Sequence, residues 1–354
     1  MKILHTADWH IGNFAGPEAA GQNLRFLDVC NCISALIEKA KEETPDIAII
    51  AGDIFHQAKV WSDRGLKENR KIVEYLRDLD SICPVVVMRG TPNHDSEEQF
   101  NALRTALDGN NSINIITEPC VRTFITSSGD PIQIAFIPGF DRGYYRAKHP
   151  GLSKEEENEV FTEAIANLIL GLKAQCESGI PSVLVGHYTI AGANMESGQT
   201  AFMSQFEPIV YTDALKAADF DLVCFGHIHR PQQIENCKNT FYSGAVSALN
   251  FNDEGQERGF YIHEISGAEV DSTFHELPSR GFKTIRLEDD DIKAITGGDL
   301  DGLFSADDFK DKIVRVLYNC TDEHNKAFNH AVLENYLYTN GAFWVQEITP
   351  QDYV

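Results

Sequence analysis

Leu222-Val223-Cys224-Phe225-Gly226-His227-Ile228-His229 is a short apolar run that stops abruptly at a glycine and two histidines. Its length and composition suit a buried strand, and the residues just past it carry lone pairs fit for a metal ion. The same construction recurs. Residues 2–4 lead to Asp8-Trp9-His10, Ile47–Ala51 to Gly52-Asp53, and Val85–Met88 to Gly90-Thr91-Pro92-Asn93-His94-Asp95. Residues 183–185 lead to Gly186-His187. In open α/β sheets the ligand crevice lies outside the carboxyl ends of the strands. Five such ends would bring two Asp, one Asn and four or five His to one place. The glycines before them let the backbone turn sharply and approach closely.

Between these runs lie helical patterns, and the alternation predicts an α/β fold. Phe26, Val29, Cys30, Ile33, Leu36, Ile37 and Ala40 fall at spacings of three and four, an amphipathic helix. A second helix opens at the capping box Ser153-x-x-Glu156 and is expected to bury Phe161, Ala164, Ile165, Leu168, Ile169 and Leu172. Residues 132–137 read as another buried strand, and Thr240–Tyr242 and residues 260–265 as shorter ones. The character changes near residues 276–281. Beyond them come a strand (Phe282–Leu287), an acidic, Gly-containing stretch and a strand (Ile313–Tyr318). A helix (326–338) and a last strand (343–348) complete a small α+β second domain.

Singly, a histidine at a strand end is ordinary; DxH, GD, NHD, GH and GHxH in that order, each after an apolar run, is not. Carboxylate, amide and imidazole donors without a thiolate suit Mn²⁺, Fe²⁺ or Zn²⁺. Seven candidate ligands are too many for one tetrahedral site. They suit two ions about 3.5–4 Å apart sharing a bridging carboxylate, the arrangement used for in-line displacement at phosphorus.

The order Asp8-x-His10, Gly52-Asp53, Asn93-His94-Asp95, Gly186-His187, Gly226-His227-x-His229 resembles the calcineurin-like metallophosphoesterases. His5-Thr6-Ala7-Asp8-Trp9-His10-Ile11-Gly12, Gly52-Asp53-Ile54-Phe55-His56 and Phe225-Gly226-His227-Ile228-His229-Arg230 are similar, more narrowly, to the SbcD-type nucleases. The resemblance implies a β-sandwich flanked by helices over residues 1–275 and a capping domain over 276–354. It gives one metal to Asp8, His10 and His229, the other to Asn93, His187 and His227, with Asp53 bridging. His94 becomes the general acid or transition-state stabiliser, Asp95 the residue that orients it, and His56 a residue that places the DNA end.

The implied activity is 3′→5′ exonuclease on duplex ends and endonuclease on hairpins or single strands. Two divalent ions are implied, Mn²⁺ first and Mg²⁺, Fe²⁺ or Zn²⁺ otherwise. The implied partners are DNA, an SbcC-like coiled-coil ATPase and a second copy of the chain. A phosphomonoesterase of the same superfamily is the alternative. Protein phosphatases there read Gly-Asp-x-Val-Asp-Arg-Gly and Asn-His-Glu, against Gly52-Asp53-Ile54-Phe55-His56 and Asn93-His94-Asp95 here. The family's usual Gly-Asn-His-Asp is also interrupted, by Thr91-Pro92. The polar loop 189–206, directly after His187, is placed to touch substrate or to be a surface excursion.

The 354 residues are 43% hydrophobic, enough for a real core, yet carry 30 Lys+Arg against 53 Asp+Glu, a net charge of -23. Phosphate contacts normally demand a basic surface. The excess therefore predicts a poor stand-alone DNA binder whose partner supplies the grip. No apolar run reaches the roughly 18 residues of a membrane span, and the start is too short and polar for a signal peptide. Eight scattered cysteines are expected as reduced thiols of a cytoplasmic protein.

Overall fold

The computed structural model describes residues 1–58, 63–139, 143, 146, 151–195, 208–300 and 302–351. Two compact units divide the chain. The larger is Met1–Asn13, Phe26–Ser247 and Glu257–Pro278; the smaller is Phe14–Arg25, Ala248–Gln256 and Ser279–Val354.

The larger unit is a pair of 6-stranded sheets. In the first, β1 (Lys2–Thr6), β2 (Ile47–Ala51) and β3 (Val85–Met88) run parallel, continued by Ile113–Ile116. Antiparallel Gly259–Ser266 and Glu269–Glu276 extend the other side. In the second, β4 (Ser182–His187) and β5 (Leu222–Gly226) are parallel, flanked by Pro131–Ile137 and Thr240–Tyr242. Ile3, Ile49 and Met88 of one sheet and Ile134, Phe136, Val185 and Cys224 of the other share one buried cluster. Burial of each such aliphatic side chain is worth roughly 1.5–3 kcal/mol, so the two inner faces hold each other.

Helices cover the outer faces. The predicted stripe from Phe26 to Ala40 is buried along Leu24–Glu43. The helix Lys154–Lys173 has the expected Ser153–Glu156 capping box and buries Phe161, Ile165, Ile169 and Leu172. Ala164 is exposed, off that stripe.

In the smaller unit β6 (Phe282–Leu287), β7 (Ile313–Tyr318) and β8 (Trp344–Pro350) form a parallel sheet in that order. The acidic stretch after β6 holds a helix, Asp289–Thr296, with three aspartates in its first turn, where negative charge meets the positive end of the helix dipole. The helix expected over 326–338 is two, Asp322–Ala327 and His330–Thr339, because the Asn329 side chain caps the second at Ala331 N. Arg25 is buried between the rings of Phe14 (5.1 Å) and Phe282 (5.0 Å) and donates to the carbonyls of Ala248 and Leu249.

Candidate metal centre

The carboxyl ends of β1 to β5 build the site. Beyond β1 the chain runs beside the end of β2: Asp8 N donates to Gly52 O (3.0 Å), His10 N to Asp53 O (3.0 Å) and Ile11 N to Ile54 O (2.9 Å). Asp8 (φ 51°), His10 (φ 45°), Asp53 (φ 51°) and His227 (φ 95°) all lie in the left-handed region. Such backbone costs about 1–3 kcal/mol per residue and gathers where function requires it. Gly226 is needed for close approach, since a Cβ there would run into Ala51 O and the Ala7 methyl.

Six predicted residues meet in two trios, Asp8 with His10 and His229, and Asp53 with His187 and His227. In each, the candidate ligand atoms lie within 4.8 Å of one another. His10 Nε2 is 3.2 Å from His229 Nε2, and His187 Nε2 is 3.1 Å from Asp53 Oδ2 and 3.9 Å from Asp8 Oδ1. His187 Nδ1 donates to Ala51 O (2.7 Å), which turns Nε2 toward the carboxylates. The backbone N of His227 donates to Asp8 (3.0 Å to Oδ2), locking the end of β5 to that of β1.

Burial sets the electrostatics. It raises the Asp8 carboxyl to about 6 against the pull of His187, and lowers His229 to about 3, helped by Arg258. Burial also opposes charge on His187, but Asp53 and Asp8 outweigh it and push that imidazole up to about 10. Asp53 is held well below the usual carboxylate range: burial acts the other way, and His187 prevails.

The donor set fits a pair of divalent cations. Two carboxylates and four imidazoles converge out of water. The 3.2 Å between the His10 and His229 nitrogens is close to the ~3.0–3.4 Å edge of a polyhedron built on ~2.1 Å metal–nitrogen bonds. A cation there would offset buried negative charge that the His187 imidazole balances.

His94 stands beside the trios, its ring centroid 4.6 Å from that of His10 and its Nε2 4.0 Å from Asp53 Oδ2. His56 faces the same spot, grouped with His10 and His94. The buried carboxylate of Asp95 accepts from the backbone N–H groups of Gly90 (2.8 Å), Phe55 (3.1 Å) and Ile54 (3.4 Å), donors left over where β2 and β3 end. Burial raises that carboxyl to about 7. The His94 ring is held by the His56 carbonyl, which accepts from Nδ1 at 2.5 Å. Asn93, expected beside His187 and His227, is exposed, and the loop's contact with Asp53 is made by Thr91.

Thr91 and Arg258 escaped the sequence reading. Arg258 is fully buried, far along the chain, and its Nη1 donates to the His229 carbonyl. A lone arginine before a strand carries no spacing signal that could have pointed to it. Of the loop 189–206, residues 196–206 lie outside the described residues.

The family description "Calcineurin-like phosphoesterase" matches residues 1–231. A curated relative, the SbcD component of the nuclease SbcCD from Staphylococcus epidermidis, is 24% identical over 296 residues, 82% of this chain and 74% of that one. Among solved structures, a dimetal phosphatase from Danio rerio aligns with a TM-score of 0.45 at 10% identity, covering 78% of this chain and 96% of that one. The phosphopantetheinyl hydrolase of Mycobacterium tuberculosis aligns with a TM-score of 0.39 at 14% identity, over 69% and 88%. With the family pattern spanning most of the chain and its α/β sheets flanked by helices, the protein belongs to the calcineurin-like phosphoesterases, a superfamily of metal-dependent hydrolases.

Proposed function

We propose that this chain is the nuclease subunit of an SbcCD-type complex, a two-metal phosphodiesterase that cuts DNA. It acts as a 3′→5′ exonuclease on duplex ends and an endonuclease on hairpins or single strands. The observation that carries the reading is the meeting of Asp8, His10 and His229 with Asp53, His187 and His227, with His94 alongside. Similarity to the staphylococcal nuclease component supports DNA as the substrate and an SbcC-like ATPase as the partner. In this reading residues 1–275 cut, residues 276–354 form the capping domain, and the chain works as a cytoplasmic homodimer. No helix among the described residues is long and apolar enough to cross a membrane.

When bound, two divalent ions, Mn²⁺ foremost, supply a nucleophile at neutral pH and offset charge on the phosphoryl oxygens. The two trios would hold them, with Asp53 between. The chain's own groups do the rest. His187, fixed through Nδ1, and Asp8, fixed by the His227 amide, keep the donors in place before substrate arrives. His94 has its Nδ1–H committed to the His56 carbonyl, so Nε2, the atom facing Asp53, is the one free to take up a proton, and in the imidazolium form it gives that proton to the departing 3′ oxygen. His56, on the same side, contacts the DNA end.

End-labelled duplex and hairpin DNA, incubated with Mn²⁺ in the presence and absence of partner, test the proposal. Shortening of the duplex from its 3′ ends and opening of the hairpin, both stopped by EDTA, are expected. Hydrolysis of p-nitrophenyl phosphate with intact DNA would replace the reading by a phosphomonoesterase.

A further inference from the structure

The two residues that interrupt the family's Gly-Asn-His-Asp pattern have a structural consequence. The Thr91 carbonyl accepts from the N–H of His94 (3.0 Å) and of Asp95 (2.8 Å). The first of these bonds closes a four-residue turn, Thr91-Pro92-Asn93-His94. Proline sits at its second position, where a fixed φ suits a turn, and asparagine at its third. The apex of such a turn faces solvent, and Asn93 is exposed. Pro92 and Asn93 thus form the apex of the turn, with Thr91 and His94 at its base.

Thr91, directly after Gly90, stays at the base. Its N–H donates to Asp53 Oδ1 at 2.7 Å, and its hydroxyl lies 3.0 Å from Oδ1 and 3.2 Å from Oδ2. A Cβ on Gly90 would collide with Asp53 Oδ1, so only glycine lets the loop come this close.

We propose that Thr91, not Asn93, is the residue through which this loop completes the second metal site, that of Asp53, His187 and His227. The proposal rests on the two-metal reading above. A threonine hydroxyl can give its proton to Asp53 and still present a lone pair, orienting the shared carboxylate and adding a weak neutral oxygen donor. The carboxamide oxygen usual in the family is a stronger donor for Mn²⁺ or Mg²⁺. With Asp53 shared, the first site draws on two carboxylates and two imidazoles, and the second on one carboxylate, two imidazoles and a hydroxyl. Losing a group that orients a ligand typically costs 10–100-fold in metal affinity, and that is the scale expected here.

Mn²⁺ titration of the metal-free full-length chain, followed by the electron paramagnetic resonance signal of free Mn²⁺, reads each site without relying on activity. Wild type should bind two ions with unequal affinity. Thr91→Ala should weaken the second by about tenfold or more and leave the first. Thr91→Ser should retain wild-type binding, Thr91→Asn should tighten the second ion, and Asn93→Ala should change neither. Circular dichroism checks that each variant is folded. If wild type bound two ions, and Asn93→Ala lost one while Thr91→Ala kept both, the proposal would be overturned with the two-metal reading intact. Wild type that bound no Mn²⁺ would overturn both.

Discussion

His94 donates through Nδ1 to the backbone carbonyl of His56, 2.5 Å away, and this bond aims Nε2 at Asp53. A carbonyl can only accept, so the bond assigns the Nδ1 proton and leaves Nε2 as the atom that exchanges protons with substrate. His94→Ala should reduce DNA cleavage by about 10²–10⁴-fold, the usual contribution of a positioned general acid. Mn²⁺ content should stay at the wild-type value, because neither trio includes His94. Single-turnover cleavage and metal analysis on one preparation check both halves. Wild-type turnover would remove His94 from the mechanism.

Asp95 is adjacent in sequence but has a different task. Three backbone N–H groups from two strand ends share its buried carboxylate. Asp95→Asn turns an amide N–H toward donors that need an acceptor, and each buried group left unpaired costs about 1–3 kcal/mol. A lowered urea midpoint is expected. Unchanged stability with slowed cleavage would instead assign Asp95 to the orientation of His94.

The net charge of -23 bears on grip. Two divalent ions would add positive charge only where the scissile phosphate sits. The isolated chain should bind duplex DNA weakly, with a shallow dependence of log affinity on log salt, steepening once the ATPase partner is added. Fluorescence anisotropy over a salt series measures both. Tight binding with a steep slope in the absence of partner would contradict it.

Much of this was legible in the sequence, for reasons that differ by element. Ile47–Ala51 and Val85–Met88 have the same bounds in sequence and structure because parallel strands buried on both faces read as unbroken apolar runs. Cys120–Ile125 and Glu269–Glu276 went unread: both lie at sheet edges, largely exposed, where an interrupting charge or hydroxyl breaks the apolar run and pairing with the neighbouring strand fixes the element. The helix Glu97–Ala106 announced itself through a Ser96-x-x-Gln99 capping box, which was overlooked. At the site, residues on strand ends were legible because the strand fixes their direction. The contact of Thr91 with Asp53 was not, because a motif gives only the order of residues, whereas a turn closed at Thr91 O decides which of them faces Asp53.

Behind the site, His5 and His263 form a buried pair whose titration should be measurable. His5 Nε2 donates to Phe225 O (3.1 Å), so its Nδ1 accepts from His263 Nε2 (3.2 Å), and His263 Nδ1 lies 2.8 Å from Ser272 Oγ. Burial lowers His5 to about 3, and burial followed by the proximity of His5 holds His263 well below its ordinary value. Both are neutral when folded, whereas in the unfolded chain each takes up a proton near pH 6.5. Their contribution to stability is complete above pH 6.5 and is lost as pH falls toward about 3, with a slope of up to ~1.4 kcal/mol per pH unit for each group. His263→Phe, among the rings of Phe241 and Tyr261, removes one titrating group. Plotted against pH between 6.5 and 4, the unfolding free energy of that variant should fall less steeply than that of wild type, by about one proton's worth. Urea titrations of metal-free protein at each pH supply the two curves. Parallel curves would mean that His263 is protonated in the folded chain, and that the relay from Ser272 to the Phe225 carbonyl does not hold it neutral.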